Sequence, residues 1–353
     1  MLRDWIQHGG RGRLTLFYVM LASLLGMAIV LGIAIGSTEI PPGTVVRVLA
    51  AKLLPFAHIG VDETDTVLIW IVRAPRVLVA ALVGAALAIA GAQMQGLFQN
   101  PMASPDVIAT SSGAALGAVL TIAFGFAQIS LLWLPFGAFV GALASLGIVY
   151  ALTTRGGHTP IAILLLAGVA LNSLIGAMIA FVLTLHGVRF EIAQEILFWV
   201  MGGLDSRMWM HVWISAPCIL AGIVIALMYA RDLDLFLAGE ETAASLGVDV
   251  QRVKRIVLVT AALLTSAAVA VSGVIGFVGL IVPHVVRLIV GPAHRRVIPA
   301  SGLIGATFLV ITDLFARTVH PPEEVALGII TASLGAPFFL YLLVRQRREV
   351  GYL

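Results

Sequence analysis

The chain has 353 residues, of which 60% are hydrophobic and 11% charged, with a formal charge of +3 and a mean hydropathy of +1.06. So few charges cannot cover a water-soluble globule, so the chain belongs in a membrane. Its mild excess of base reads as topology-setting loops rather than a nucleic-acid surface, and the single cysteine, Cys218, excludes an intrachain disulfide.

Eight uncharged runs follow one another at 14–38, 77–105, 107–154, 156–188, 208–230, 256–286, 297–312 and 325–344. A helical span takes about 20 apolar residues, so the run 107–154 and one or two others must turn back on themselves. The expectation is an all-α polytopic protein with nine to ten transmembrane helices, ten being preferred. Continuous rather than alternating apolarity excludes a β-barrel.

The first run follows Arg3, Arg11 and Arg13. It is too long for a signal-peptide core, and Gly36-Ser37-Thr38 is no cleavage site, so it reads as a retained first helix. Placing successive loops on alternate sides puts 14 of the 21 basic residues with the N-terminal segment, Arg155, the 231–255 stretch, Arg287, Arg295-Arg296 and the C-terminal tail; the other side holds seven. That asymmetry places both termini in the cytoplasm and makes the span number even.

After the first span, residues 38–66 form an outside loop with a short amphipathic stretch at Val45–Leu54 and the acids Asp62, Glu63 and Asp65. Arg73-Ala-Pro-Arg76 opens the second span. These arginines either snorkel to the interface or present a fixed cationic patch to an acidic partner, and their spacing alone does not choose. Gln93 and Gln95 lie in the same span and should face a cavity or a hydrogen-bonded helix contact, because unpaired amides are costly in hydrocarbon. Two prolines end this helix at 99–106. The pairs Gly113/Gly117 and Gly137/Gly141 are G-x-x-x-G spacings that predict close packing of the third and fourth spans. His158 stands in a short inside loop without partners, and a fifth span with Asn172 follows it.

Residues 186–207 are amphipathic, with Glu191 and Glu195 on the polar side, and predict an outside surface helix ending at Gly202-Gly203. A sixth span follows near 209–229. Arg231–Arg255 then holds nine of the 39 charged residues. It reads as a short helix, a glycine turn and a second short helix: Glu240 and Glu241 suit a helix N-terminus after Gly239, and Gly247 suits a C-cap. The seventh span runs from Ile256 to Ser272. Gly273, Gly276 and Gly279 break the pattern where a backbone could approach a helix, a ligand or a pathway. A short eighth span near 280–290, a ninth at 297–314 with Asp313 and Arg317 at ion-pair spacing, and a tenth at 325–344 complete the chain. The likeness of 111–118 to 331–336 hints at two five-helix halves.

Seven motifs occur in order: Arg73-Ala-Pro-Arg76, Gly84–Gly96 with Asn100-Pro101, LLLAGVAL at 164–171, VMGGL at 200–204, AGEETAASLG at 238–247, GFVGLIVPHVVR at 276–287 and GIITASLGAPFF at 328–339. Together they resemble the FecCD-type permeases of ATP-binding cassette importers for iron-siderophore complexes, haem and vitamin B12, over residues 14–345. The resemblance implies a type II importer permease fold of ten helices. It also implies a paired, homodimeric subunit in a bacterial inner membrane, two cytoplasmic ATPases that carry ATP and magnesium, and a periplasmic or lipoprotein substrate-binding protein. This chain would bind no cofactor; it lacks the G-x-x-x-x-G-K-[ST] phosphate loop and is no ATPase by that motif.

By resemblance, Leu235, Gly239, Glu240, Glu241, Ala243, Leu246 and Gly247 form the ATPase-coupling element, and Arg73, Arg76 and Arg317 dock the binding protein. Asn100 and Met102, with Thr159 and Pro160, map to the cytoplasmic gate. Gln93, Gln95, Gly273, Gly276 and Gly279 are the further pathway candidates. Glu324-Val-Ala-Leu-Gly328 lacks the family's proline. The implied cargo is an iron chelate, siderophore or haem, with vitamin B12 or an oxyanion such as molybdate as alternatives. An ion-coupled transporter would need acidic residues in mid-span, where only Asp313 comes close, and an intramembrane enzyme would need paired groups that His284 and Asp313 do not supply by spacing.

Overall fold

The computed structural model describes residues 11–36, 40–54, 60–154, 160–186, 190–321 and 323–350. Its regular elements are all helical. We number them α1 (Arg11–Ala34), α2 (Pro42–Leu53), α3 (Glu63–Leu97), α4 (Thr110–Ala123), α5 (Phe126–Ile129), α6 (Trp133–Thr153), α7 (Ile161–His186), α8 (Phe190–Met201), α9 (Trp209–Met228), α10 (Ala230–Phe236), α11 (Glu240–Ser245), α12 (Val250–Ser272), α13 (Val278–Val290), α14 (His294–Thr318) and α15 (Leu327–Val350).

Seven helices, α1, α3, α6, α7, α9, α12 and α14, are long and apolar enough to cross a membrane. The shorter apolar helices α4, α13 and the described apolar part of α15, Leu327–Leu342, bring the apolar helices among the described residues to ten. The surface helices α2 and α8 stand where amphipathicity predicts them. The 231–255 stretch also folds as read, with Gly239 (φ 98°) before α11 and Gly247 (φ 87°) after it. The seventh span begins earlier than its uncharged run implies, at Val250, because Asp249 caps the helix by accepting from the Arg252 amide at 3.0 Å.

The centre of the bundle is α3, whose residues from Ala74 to Leu97 are nearly all buried. Its entry is a π-helical turn, Val67–Arg73, just ahead of Pro75. Proline brings no N–H for the carbonyl one turn back, and a widened turn absorbs the mismatch.

Glycine decides how closely α3 is approached. A side chain at Gly84 would strike the Gly305 carbonyl on α14, and one at Gly91 would strike the Gly279 carbonyl on α13. The two G-x-x-x-G pairs work the same way between α4 and α6, where Gly113 meets Gly141 and Ser145 while Gly117 meets Gly137. Lipid tails are as apolar as leucine, so such close backbone packing, and not water exclusion, holds the spans together.

Candidate functional site

Side-chain contacts sort the helix ends onto two faces. One face carries α10, α11, the end of α3 and the start of α14. The other carries the start of the 74–97 segment, the end of α14 and the 202–208 turn.

On the first face, Leu233 and Phe236 sink α10 into the core. The Gln99 amide donates to the Phe236 carbonyl, and Asp234 accepts from the amide and ring of His294. Leu235, Leu246 and Gly247 line a groove of about 530 Å³ with Arg231, Asp232 and Asp249. Leu246 is 61% exposed and Glu241 is exposed as well, so both are presented for contact. Ala243, expected to face a partner, is instead fully buried: it is the apolar anchor that seats α11 on its own chain. Glu240 is turned partly inward as well, to Lys254 Nζ at 2.7 Å. Burial would raise the Asp234 carboxyl, but the bonds from His294 and from the Arg295 amide outweigh it and hold the group below the usual carboxylate range.

On the second face, the arginines expected to dock a partner are used internally. Arg73 donates to the carbonyls of Ile33 and Ala34 at 2.8 and 2.9 Å. Arg76 pairs with Asp313 at 2.8 Å and with Glu324 at 2.7 Å, and lies 3.9 Å from Asp205. Arg317 reaches Asp313 at 3.1 Å and the Gly32 carbonyl at 2.8 Å. The expected open cationic patch is therefore corrected to a buried network that ties α1, α3, α14 and the loop at Glu324 together. A buried guanidinium needs such partners, because each missing one would leave a charge uncompensated. The Asp313–Arg317 pair is the one part that spacing announced; Glu324 and Asp205 are distant in sequence and gave no local signal.

The expected gate residues divide. Pro101 and Met102 border a narrow cleft with Leu280, Ile281, His284 and Phe338, of about 10 Å³, room for one water. Asn100 shapes this turn, its Oδ1 accepting from the Met102 amide at 2.9 Å. Pro160 is exposed at the start of α7, and Thr159 lies outside the described residues. Three pathway candidates, Gln95, Gly273 and Gly279, occupy packing positions. Gln95 donates to the Leu280 carbonyl at 3.0 Å, and Gln93 is fully buried with neither amide atom hydrogen-bonded among the described residues. Gly273 (φ 67°) is pressed against the Trp199 carbonyl and Gly279 against the backbone of α3. Only Gly276 of this group borders open space. Among the described residues no three His, Cys, Asp or Glu side chains cluster as metal ligands.

The sequence model of the FecCD transport family matches residues 24–345. The chain belongs to the FecCD transport family. It is 44% identical over 345 residues to the cobalamin import system permease protein BtuC of Halobacterium salinarum, covering 96% of this chain and 90% of that one. It is 41% identical over 337 residues to the hemin transport system permease protein HmuU of Yersinia pestis, covering 94% and 97%. A solved metal-chelate type ABC transporter in an inward-facing conformation superposes with a TM-score of 0.81 at 30% identity, over 93% of this chain and 98% of that one. The all-helical bundle is thus the ABC importer permease fold, and the chain is a multi-pass transport permease.

Proposed function

We propose that the chain is the membrane subunit of an importer in which two separate ATPase subunits drive an iron chelate, siderophore or haem, through a homodimer of this permease. The carrying observation is the 230–247 element: α10 is rooted in the bundle by Leu233 and Phe236 while Leu246 and Glu241 stay in solvent. A partner that moves Leu246 therefore pulls on the core. With this element in the cytoplasm, both termini are cytoplasmic, which agrees with the basic-residue count. The opposite face, whose Arg73, Arg76 and Arg317 are held in internal contacts, receives a substrate-binding protein, and the compartment is a bacterial inner membrane.

The resemblance to BtuC at 44% identity favours cobalamin as a second reading, since cobalamin and haem are both bulky metal chelates that cannot cross hydrocarbon unaided. ATP binding would draw the ATPases together, shift α10 and α11, and open or close the cleft at Pro101-Met102. No group on this chain needs to hold the cargo tightly, because affinity in the delivering protein leaves the passage free to release it.

The test is uptake by proteoliposomes containing this permease and its ATPase, with haem, a ferric siderophore or cobalamin presented on the binding protein. ATP-dependent uptake of one of these supports the reading. Uptake unaffected by omitting the ATPase contradicts it.

A further inference from the structure

One chain of polar contacts runs from the 230–247 element across three helices. Asp234 Oδ1, on α10, accepts from the backbone amide of His294 and faces its Nδ1 at 3.1 Å. On the other edge of the ring, His294 Nε2 faces Arg287 Nη2 at 3.2 Å. The same Arg287 nitrogen reaches the Ala92 carbonyl of α3 at 3.2 Å.

These partners fix the tautomer. Nδ1 carries the proton toward the carboxylate, and Nε2 keeps its lone pair for the guanidinium. The ring is fully buried and fills the space beside Gly96, where any side chain would strike it. A buried imidazole clamped on both edges has nowhere to turn. Asp234 also completes the N-terminus of α14, where Ala293 supplies no side-chain cap.

Arg287 lies on the short helix α13, three residues beyond His284, and residues three apart share a helix face. His284 lines the Pro101-Met102 cleft with Ile281 and Phe338. A helix as short as α13 moves as one piece, so a shift at Arg287 appears at His284.

We propose that His294 is a positioning residue, the strut through which displacement of α10 is passed by way of Arg287 to α13 and so to the cleft at Met102. The inference rests on the importer reading above and adds to it the route that force takes inside the chain. Gln99 holds the Phe236 carbonyl and keeps the end of α3 in register with the same movement.

The test uses the permease assembled with its ATPase in lipid nanodiscs, on a Cys218→Ser background carrying Met102→Cys, and needs no cargo. The readout is the rate of maleimide attack at Met102→Cys with and without ATP, alongside ATP hydrolysis and assembly. If the parent protein shows no ATP-induced change in that rate, the importer reading fails before the strut is reached. If it does show one, His294→Asn, whose amide stays within reach of Asp234 but not of Arg287, should hydrolyse ATP and lose about tenfold of the ATP-induced change. Arg287→Gln should lose as much, and the double variant no more than either single, because one chain is cut in both. An undiminished change in either single variant, or losses that multiply in the double, would overturn the strut. Failure of both variants to assemble would overturn it too, in favour of a role in stability alone.

Discussion

Arg76 and Asp313 meet across the contact of α3 with α14, Nη2 to Oδ1 at 2.8 Å, and Asp313 simultaneously receives Arg317 at 3.1 Å. One buried carboxylate thus answers two guanidiniums, and Glu324 takes up the remaining donors of Arg76 at 2.7 and 2.9 Å. Asp313→Asn should therefore leave both arginines short of charge. The expected loss is about 3–5 kcal/mol, as when a buried pair is broken from one side, seen as a lowered unfolding midpoint in detergent. Arg47, exposed and bonded to Thr44, should tolerate replacement by Gln without measurable change.

The glycine contacts make a sharper packing prediction. Gly91→Ala drives a methyl into the Gly279 backbone, so α3 and α13 must separate, at a cost of about 1–3 kcal/mol. Gly203 has open space around its missing side chain, and Gly203→Ala should lie within about 0.5 kcal/mol of the parent. Thermal unfolding of the two variants side by side separates the contact from the mere loss of glycine.

On the coupling element, Glu240 and Glu241 should behave differently although adjacent. Glu240 neutralises Lys254, whose side chain is only 8% exposed, so Glu240→Gln should loosen α11 by about 1–2 kcal/mol, between the values of exposed and buried pairs. Faster proteolysis of the 238–247 segment is the readout. Glu241→Gln removes an exposed charge and should leave proteolysis unchanged.

Leu246→Asp places a charge on the exposed apolar tip without disturbing the buried Ala243 anchor. Folding should be unaltered within about 0.5 kcal/mol. Binding of the ATPase should weaken by about tenfold or more, as for an apolar anchor lost at an interface. Titration of the labelled ATPase against nanodisc-held permease measures it.

Asp234 predicts a pH dependence. Its folded carboxyl sits below the unfolded value, so it contributes stability that is fully present above the unfolded carboxylate range and is lost as pH falls through the folded value. The parent should lose midpoint steeply in acid, and Asp234→Asn should show a shallower acid limb with a lower plateau near neutrality. Unfolding midpoints across an acid series check the sign.

How much of this could be read from the chain differs by element. Composition and uncharged runs suffice for an all-helical chain of nine to ten spans, because hydrocarbon admits no unpaired backbone and so fixes the element type; the short α4 and α13 show that it does not fix the length of each helix. Gly239 and Gly247 were legible because each marks a local turn, and the G-x-x-x-G pairs because helix packing makes them recur at one spacing. The arginine cluster is left open by the sequence for the opposite reason. Arg73 and Arg76 look free when only neighbours in sequence are weighed, yet Asp313 and Glu324, more than 230 residues away, claim one of them. The burial of Ala243 is not visible in the sequence, because a two-residue step from exposed Glu241 turns from solvent to core on so short a helix. His294 gave no signal at all: nothing local joins it to Asp234, 60 residues earlier.

The most direct measurement of the central claim is cargo uptake into proteoliposomes containing the permease, with and without its ATPase, compared between the parent and Leu246→Asp. The account predicts uptake that requires both the ATPase and ATP and that falls with Leu246→Asp in step with lost ATPase binding. Full uptake without the ATPase, or labelling that finds residues 238–247 on the face opposite the ATPase, would contradict it.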